Sequence, residues 1–203
     1  MNTLNKGQGW LDSDLTEEGI SQLHAIFSAI NLPQFDRAYS SDLGRSIRTL
    51  EIMKPYIQLK DPESISYMSE LRERFLGSFE GDYLDDMKLS ISQKRGYSDY
   101  ESYQKENSFE DYIDDCRELD PYSYAESFSM LESRVKAGIE RIIHEGNENN
   151  SDNILVVGHR NSIRLIQHIL LEETQSFERT TLGNGEIIIL SNDSGIWKQL
   201  YEF

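Results

Sequence analysis

Asn153-Ile154-Leu155-Val156-Val157-Gly158-His159 is the stretch whose reading decides the fold. Four consecutive β-branched or aliphatic residues bounded by polar ones leave no face for water, which is the pattern of a strand covered on both sides in a parallel sheet. Gly158-His159 falls directly at the C-terminal end of that strand, and Ile163, Ile166 and Leu170 then recur at helical spacing. Upstream, Thr16 caps a helix whose first turn holds Glu17 and Glu18 and whose inner face carries Ile20, Leu23, Phe27 and Ile30, with Pro33 stopping it. Arg37 to Ser40 is a short extended run. Ser41 or Asp42 then caps a second helix bearing Ile47, Leu50 and Met53 and ending near Pro55, so Arg45 emerges in a helix first turn.

From Ser127 the positions Leu131, Val135, Ile139 and Ile142 mark a long helix that gives way to a polar loop, Gly146 to Asn153. Two strands close the chain, Glu186 to Leu190 and Ile196 to Tyr201, joined as a hairpin by Asn192-Asp193-Ser194-Gly195. Strand and helix alternate, so the class is α/β, a mostly parallel sheet flanked by helices in one domain over residues 1–203. Asp82 to Tyr124 stands apart, with twelve acidic against five basic residues and seven of the eleven tyrosines. It lacks strand alternation and the Gly and Pro density of a linker, and reads as a helical insertion lying over the sheet.

The formal net charge of -16 repels phosphate backbones and anionic lipid, which argues against nucleic acid or a membrane surface as partner. No apolar run approaches the roughly eighteen residues of a membrane span, and Met1 to Trp10 lacks the apolar core of a signal peptide, so the expected location is cytoplasmic. Cys116 is the single cysteine and reads as an ordinary reduced thiol.

In open α/β sheets ligands bind at the carboxyl ends of strands, where helix N-termini present free N–H groups to anions. Ser40-Ser41-Asp42-Leu43-Gly44-Arg45 delivers a guanidinium at such a point, and Val157-Gly158-His159-Arg160-Asn161-Ser162 delivers an imidazole. A cation fork with an imidazole suits a phosphoryl group, whose oxygens need neutralising during transfer. Taken singly, a histidine at a strand end is more often a structural hydrogen-bonding residue. An arginine in a helix first turn is usually solvated, and Glu73 between Arg72 and Arg74 has the ordinary reading of a salt-bridged surface acid.

The order of the pieces changes that balance. Asn2, Gly7-Gln8-Gly9-Trp10-Leu11-Asp12-Ser13, Leu15-Thr16-Glu17-Glu18-Gly19, Tyr39-Ser40-Ser41-Asp42-Leu43-Gly44-Arg45, Leu71-Arg72-Glu73, Gly77-Ser78-Phe79-Glu80-Gly81, Glu126-Ser127 and Val156-Val157-Gly158-His159 resemble, in order, the signature segments of the histidine phosphatase (phosphoglycerate mutase-like) superfamily. The resemblance runs along essentially the whole chain. It implies a phosphoglycerate mutase-like fold, a small phosphorylated metabolite as partner, and no cofactor or metal. Arg45 resembles the second phosphate-binding arginine, His159 the histidine that stabilises the transferring group, and Glu73 the acid that protonates the leaving oxygen. Asn2 and Asn161 resemble phosphate-pocket positions, and Gln8 and Gly9 substrate-pocket positions. Arg160 stands where the family usually has glycine.

The family opens with an apolar strand leading into Arg-His-Gly, whose histidine attacks phosphorus. Met1 falls immediately before the position matched by Asn2, so the strand and nucleophile are absent from these residues and the chain as written is expected to be inactive. In the family that strand lies inside the sheet beside the strand of Ile154 to Val157. Losing it orphans ladder groups at about 1 to 3 kcal/mol each, which points to a start codon placed too late or to a fragment. The functions to weigh are phosphomonoester hydrolysis through a phosphohistidine, phosphoglycerate mutase-type transfer, and a non-catalytic anion- or partner-binding role. Gly7-Gln8-Gly9 lacks the third glycine and preceding strand of a nucleotide loop. The genomic expectation is an in-frame apolar strand and Arg-His-Gly just upstream of Met1; a verified stop codon there would favour the non-catalytic role.

Overall fold

The computed structural model describes residues 4–172 and 183–202. Seven strands are present among them: β1 Gln34–Phe35, β2 Arg37–Ser41, β3 Gln58–Leu59, β4 Ile65–Met68, β5 Ile154–Val157, β6 Ile188–Asp193 and β7 Ile196–Glu202. The α-helices are α1 Glu17–Ala29, α2 Gly44–Met53, α3 Leu84–Lys94, α4 Tyr100–Glu106, α5 Phe109–Leu119, α6 Phe128–Glu148 and α7 Arg160–Leu170. The class is α/β, with parallel strands flanked by helices. Among the described residues no helix is long and apolar enough to cross a membrane.

The central sheet has the order β4-β2-β5 and is parallel throughout, with Ala38 opposite both Ile65 and Leu155 and Ser40 opposite both Tyr67 and Val157. Because strand side chains alternate, β5 feeds two cores at once. Ile154 and Val156 pack with Tyr39, Leu131, Val135, Ile139 and Leu165, beneath α6 and α7. Leu155 and Val157 pack with Leu23, Phe27, Leu50 and Met53, beneath α1 and α2. Buried Tyr39 keeps its hydroxyl satisfied by donating to Glu145 (2.9 Å) and accepting from Arg37 (3.1 Å).

Several expectations shift. Ile154, Leu155 and Val156 are only partly buried, because among the described residues β5 pairs with β2 alone and its other edge meets no strand. The hairpin stands as a separate antiparallel pair, with β6 running through Asp193 and the turn narrowed to Ser194-Gly195. The parallel strand β4 carries no local signal strong enough to single it out from sequence. Helix α6 continues to Glu148 through Gly146, which is buried so close to Ile154 that a side chain there would collide with it. The tight packing outweighs glycine's low helix propensity. Thr16 caps α1 as its sequence suggests, accepting from Gly19 N–H. Neither Ser41 nor Asp42 caps α2: its N-cap position is Leu43, and the carboxylate that does the work comes from elsewhere.

Residues 82–124 fold into α3, α4 and α5 around Met87, Ile91, Tyr103, Tyr112 and Cys116. Tyrosines supply much of this small core: Tyr97 and Tyr112 pack edge-on against Tyr103 and Tyr100, which stack on each other at 5.9 Å. The segment ends at a turn built on Asp120, whose carboxylate accepts from the backbone N–H groups of Ser78, Tyr122, Tyr124 and Ala125 and from the Ser78 hydroxyl. Gly77, at φ +59°, is required there because a Cβ would run into that carboxylate and the Ala125 amide.

Burial alone would raise the Asp120 pKa, but the donors around it outweigh burial and hold it at about 2. A depressed carboxyl pKa contributes stability that is present above the unfolded value of 3.8 and is lost as pH falls through about 2. Asp120→Ala should therefore cost about 1 to 3 kcal/mol by leaving the buried Ala125 N–H without its acceptor, together with the partly buried donors beside it. Asp120→Asn should flatten the loss of stability between pH 3.8 and about 2 in denaturant titrations; an unaltered acid limb would remove the assignment.

Candidate active site

The parallel register of β2 and β5 brings two helix starts together, α2 after Ser41 and α7 after Val157. His159 sits at the N-cap of α7, with its backbone N–H on Ser162 Oγ at 3.2 Å. Its ring crosses to β2, where Nε2 and the Ser41 hydroxyl share a hydrogen bond of 2.8 Å. Ser41 is fully buried and also accepts from Leu43 N–H. Burial, and then the Arg45 cation, push the His159 pKa down to about 3, so the imidazole is neutral at ordinary pH.

Arg45 enters from the first turn of α2. Its Nη2 donates to the Gly9 carbonyl at 2.7 Å and its Nη1 to the Leu11 carbonyl at 3.1 Å, with Asp12 at 3.6 Å. Burial lowers the Arg45 pKa, while Glu73, Asp12 and Glu80 oppose the shift and keep the group a cation. Asp12 is the missing cap of α2: its two oxygens accept from the Gly44 and Arg45 N–H groups, where a carboxylate also meets the helix dipole. Gly44 leaves room for it, since a Cβ would press on Asp12 Oδ2.

Glu73 is buried, 8% exposed, which replaces the surface-acid reading. One oxygen accepts from Arg74 N–H at 2.8 Å and the other from Asn161 N–H at 3.3 Å, which places the carboxylate at the start of α7. Its flanking arginines are engaged elsewhere. Arg72 forms a two-pronged bond with Asp42, both contacts 2.6 Å, and lies over Trp10; Arg74 lies buried over Tyr112. Behind Glu73, Arg134 donates to the carbonyls of Glu70, Arg72 and Glu73 while paired with Glu126, which also accepts from Phe75 N–H. Trp10 Nε1 donates to the same Glu73 carbonyl at 2.8 Å.

Arg45, His159, Glu73 and Asn161 therefore gather at the carboxyl ends of β2 and β5. Gln8 directs its amide to Ser13 (2.7 Å), and buried Gly9 offers its carbonyl to Arg45 from behind the guanidinium. Asn2 lies outside the described residues. Arg160 is exposed at the first helical position of α7. The other histidines are elsewhere: His24 bonds Tyr56, His144 is exposed beside Glu148, and His168 is in the last turn of α7. Among the described residues no three His, Cys, Asp or Glu side chains gather into a metal site. Asp12, Glu80, Glu126 and Arg134 were missed as site residues. Asp12, Glu80 and Glu126 lie inside recognisable motif segments, but the backbone groups they hold are distant in sequence.

The sequence profile of the histidine phosphatase superfamily (branch 1) matches residues 1–201. The chain belongs to the histidine phosphatase superfamily. It is similar to the 2,3-bisphosphoglycerate-dependent phosphoglycerate mutase of Buchnera aphidicola subsp. Acyrthosiphon pisum (strain 5A), with 29% identity covering 95% of this chain and 88% of that one. A shorter stretch, 41% of this chain and 30% of the relative, is 34% identical to the mouse fructose-2,6-bisphosphatase TIGAR. Among solved structures, phosphoglycerate mutase from Bacillus anthracis superposes with a TM-score of 0.85 at 29% identity, covering 98% of this chain and 86% of that one. The α-ribazole phosphatase of Shigella flexneri shares the fold, with a TM-score of 0.71 at 19% identity over 98% of this chain and 88% of that one. The superfamily thus includes mutases and phosphatases among the relatives of this chain.

A folded-state pKa of about 3 against an ordinary 6.5 means that between these values the unfolded chain takes up a proton at His159 and the folded chain does not. Stability should fall as pH drops through that window. His159→Gln should remove this share of the slope in thermal melts run from pH 7 to pH 3; an unchanged slope would mean that the imidazole is not buried against Arg45.

Proposed function

We propose that the protein hydrolyses phosphomonoesters through a phosphohistidine. The observation that carries the reading is the convergence of Arg45, neutral His159 and buried Glu73 at the start of two helices. Arg45 binds the phosphoryl oxygens, and His159 hydrogen-bonds the group during transfer. Glu73 protonates the leaving oxygen as the P–O bond breaks and later takes a proton from the water that attacks phosphorus. The attacking imidazole is the one that the family carries in Arg-His-Gly at the end of an apolar strand. His24, His144 and His168 are not at the site, and the edge of β5 that meets no strand among the described residues, in a sheet covered by helices on both faces, fits such a strand.

Mutase-type transfer is the second reading, favoured by the relatives named phosphoglycerate mutase. Against it stand the cations of residues 82–124, which a doubly phosphorylated intermediate would need. Lys94 and Arg95 are paired with Glu118, Arg95 also with Asp115, and Arg117 donates to the Ala125 carbonyl. Lys88 and Lys105 pair with Asp85 and Glu101 on their own helices. Hydrolysis needs no second anion site.

A form of the protein carrying the family's Arg-His-Gly histidine should release phosphate from monoesters and trap phosphate on that histidine, whereas the 203-residue chain alone should form no phosphohistidine. In the active form Arg45→Ala should cost roughly 2 to 4 kcal/mol of transition-state stabilisation. Glu73→Gln should slow alkyl phosphates far more than nitrophenyl phosphate, whose leaving group needs no proton. Full activity in Arg45→Ala, or equal losses for both leaving groups in Glu73→Gln, would sink these roles.

A further inference from the structure

Arg45 owes its orientation to the carbonyls of Gly9 and Leu11, which belong to a tripeptide outside any helix or strand. A loop of that kind is free to turn its peptide planes unless something fixes the opposite side of each plane. All three of its N–H groups converge on one side chain. Gly9, Trp10 and Leu11 donate to the Glu80 carboxylate at 3.0, 2.8 and 3.1 Å. Leu76 N–H donates to it as well, at 3.1 Å, which ties the carboxylate to the segment that carries Glu73. The Gly9–Trp10 peptide thus has negative charge at its N–H and positive charge at its carbonyl, so each of its two bonds strengthens the other, while the bonds from Gly9 and Leu11 N–H hold the residues on either side. Gly9 is obligatory in this packing, because a Cβ would collide with Glu80 Oε1 and the Arg74 carbonyl.

We propose that Glu80 is a positioning residue for Arg45: it holds the Gly9–Leu11 loop so that two carbonyls fix the guanidinium with its remaining N–H groups toward an incoming phosphoryl group. The proposal rests on the anion-binding role given to Arg45 above. A guanidinium has five N–H donors, and orienting it before the ligand arrives spares the cost of immobilising a long side chain on binding. Glu80 itself touches neither the anion nor the leaving group. Its contribution reaches the site through the loop.

The test is a double-mutant cycle on the full chain with inorganic phosphate as the probe, read as dissociation constants from thermal-shift titration. Glu80→Gln keeps the size of the side chain but turns an amide donor toward the loop N–H groups. Expected are a roughly tenfold weaker affinity for phosphate in Glu80→Gln, a loss at least as large in Arg45→Ala, and no further loss when the two are combined. Losses that multiply in the double variant would overturn the proposal, because Glu80 would then support the fold and not Arg45. Unchanged affinity in Glu80→Gln would overturn it too. Unchanged affinity in Arg45→Ala would instead remove the anion site itself, and with it the proposed function. If Glu80→Gln does not fold, Glu80→Asp keeps the charge with less reach and carries the same cycle, with a smaller loss that again disappears when Arg45 is alanine.

Discussion

The parallel pairing of β2 with β5, from Arg37 opposite Ile154 to Ser40 opposite Val157, is the contact from which the site follows. Parallel strands in register end at the same level, and the helices that leave them begin side by side. Ser41 and His159 therefore meet across two strand ends although they are 118 residues apart in sequence. The same register sends Leu155 and Val157 to one core and Ile154 and Val156 to the other. A one-residue slip would exchange those sets and carry His159 away from Ser41.

A second theme is the use of acidic side chains as acceptors for backbone N–H groups. Asp12 receives two amides at the start of α2, Glu80 receives four, Asp120 receives four at the turn after α5, and Glu126 holds Phe75 N–H while paired with Arg134. A chain with a net charge of -16 gains from placing carboxylates where several donors share each negative charge. These four acids hold the loops of residues 9–12, 75–80 and 120–126, which lack regular ladders of their own. Irregular segments become fixed scaffolding for Arg45 and Glu73 in this way.

The segment of residues 82–124 shows how charge and aromatic content divide labour. Its tyrosines fill a small core with α3 to α5, and its acids neutralise its own cations, most directly where Arg95 meets Asp115 and Glu118. Tyr103 donates to that same Asp115, and its hydroxyl pKa is raised by burial and by the carboxylate. The cations of the segment are thus held by groups within it or, for Arg117, by the adjoining Ala125 carbonyl, and its remaining acids leave it negatively charged.

Local pattern was enough for the α/β class, for the cap at Thr16, for the strand of Ile154 to Val157, and for the placement of Arg45 and His159 at helix starts. Each of these is a property of residues within about one or two turns of each other, so periodicity and end signals carry it. Tertiary structure alone decided that β4 joins β2, that Asp12 caps α2 in place of Ser41 or Asp42, that Gln8 turns to Ser13, and that Glu73 is buried between Arg74 and Asn161. Those outcomes depend on which donor comes within hydrogen-bonding reach of which acceptor after the chain has closed on itself. Glu80 lies 71 residues from Gly9, and no local signal in either segment specifies that approach.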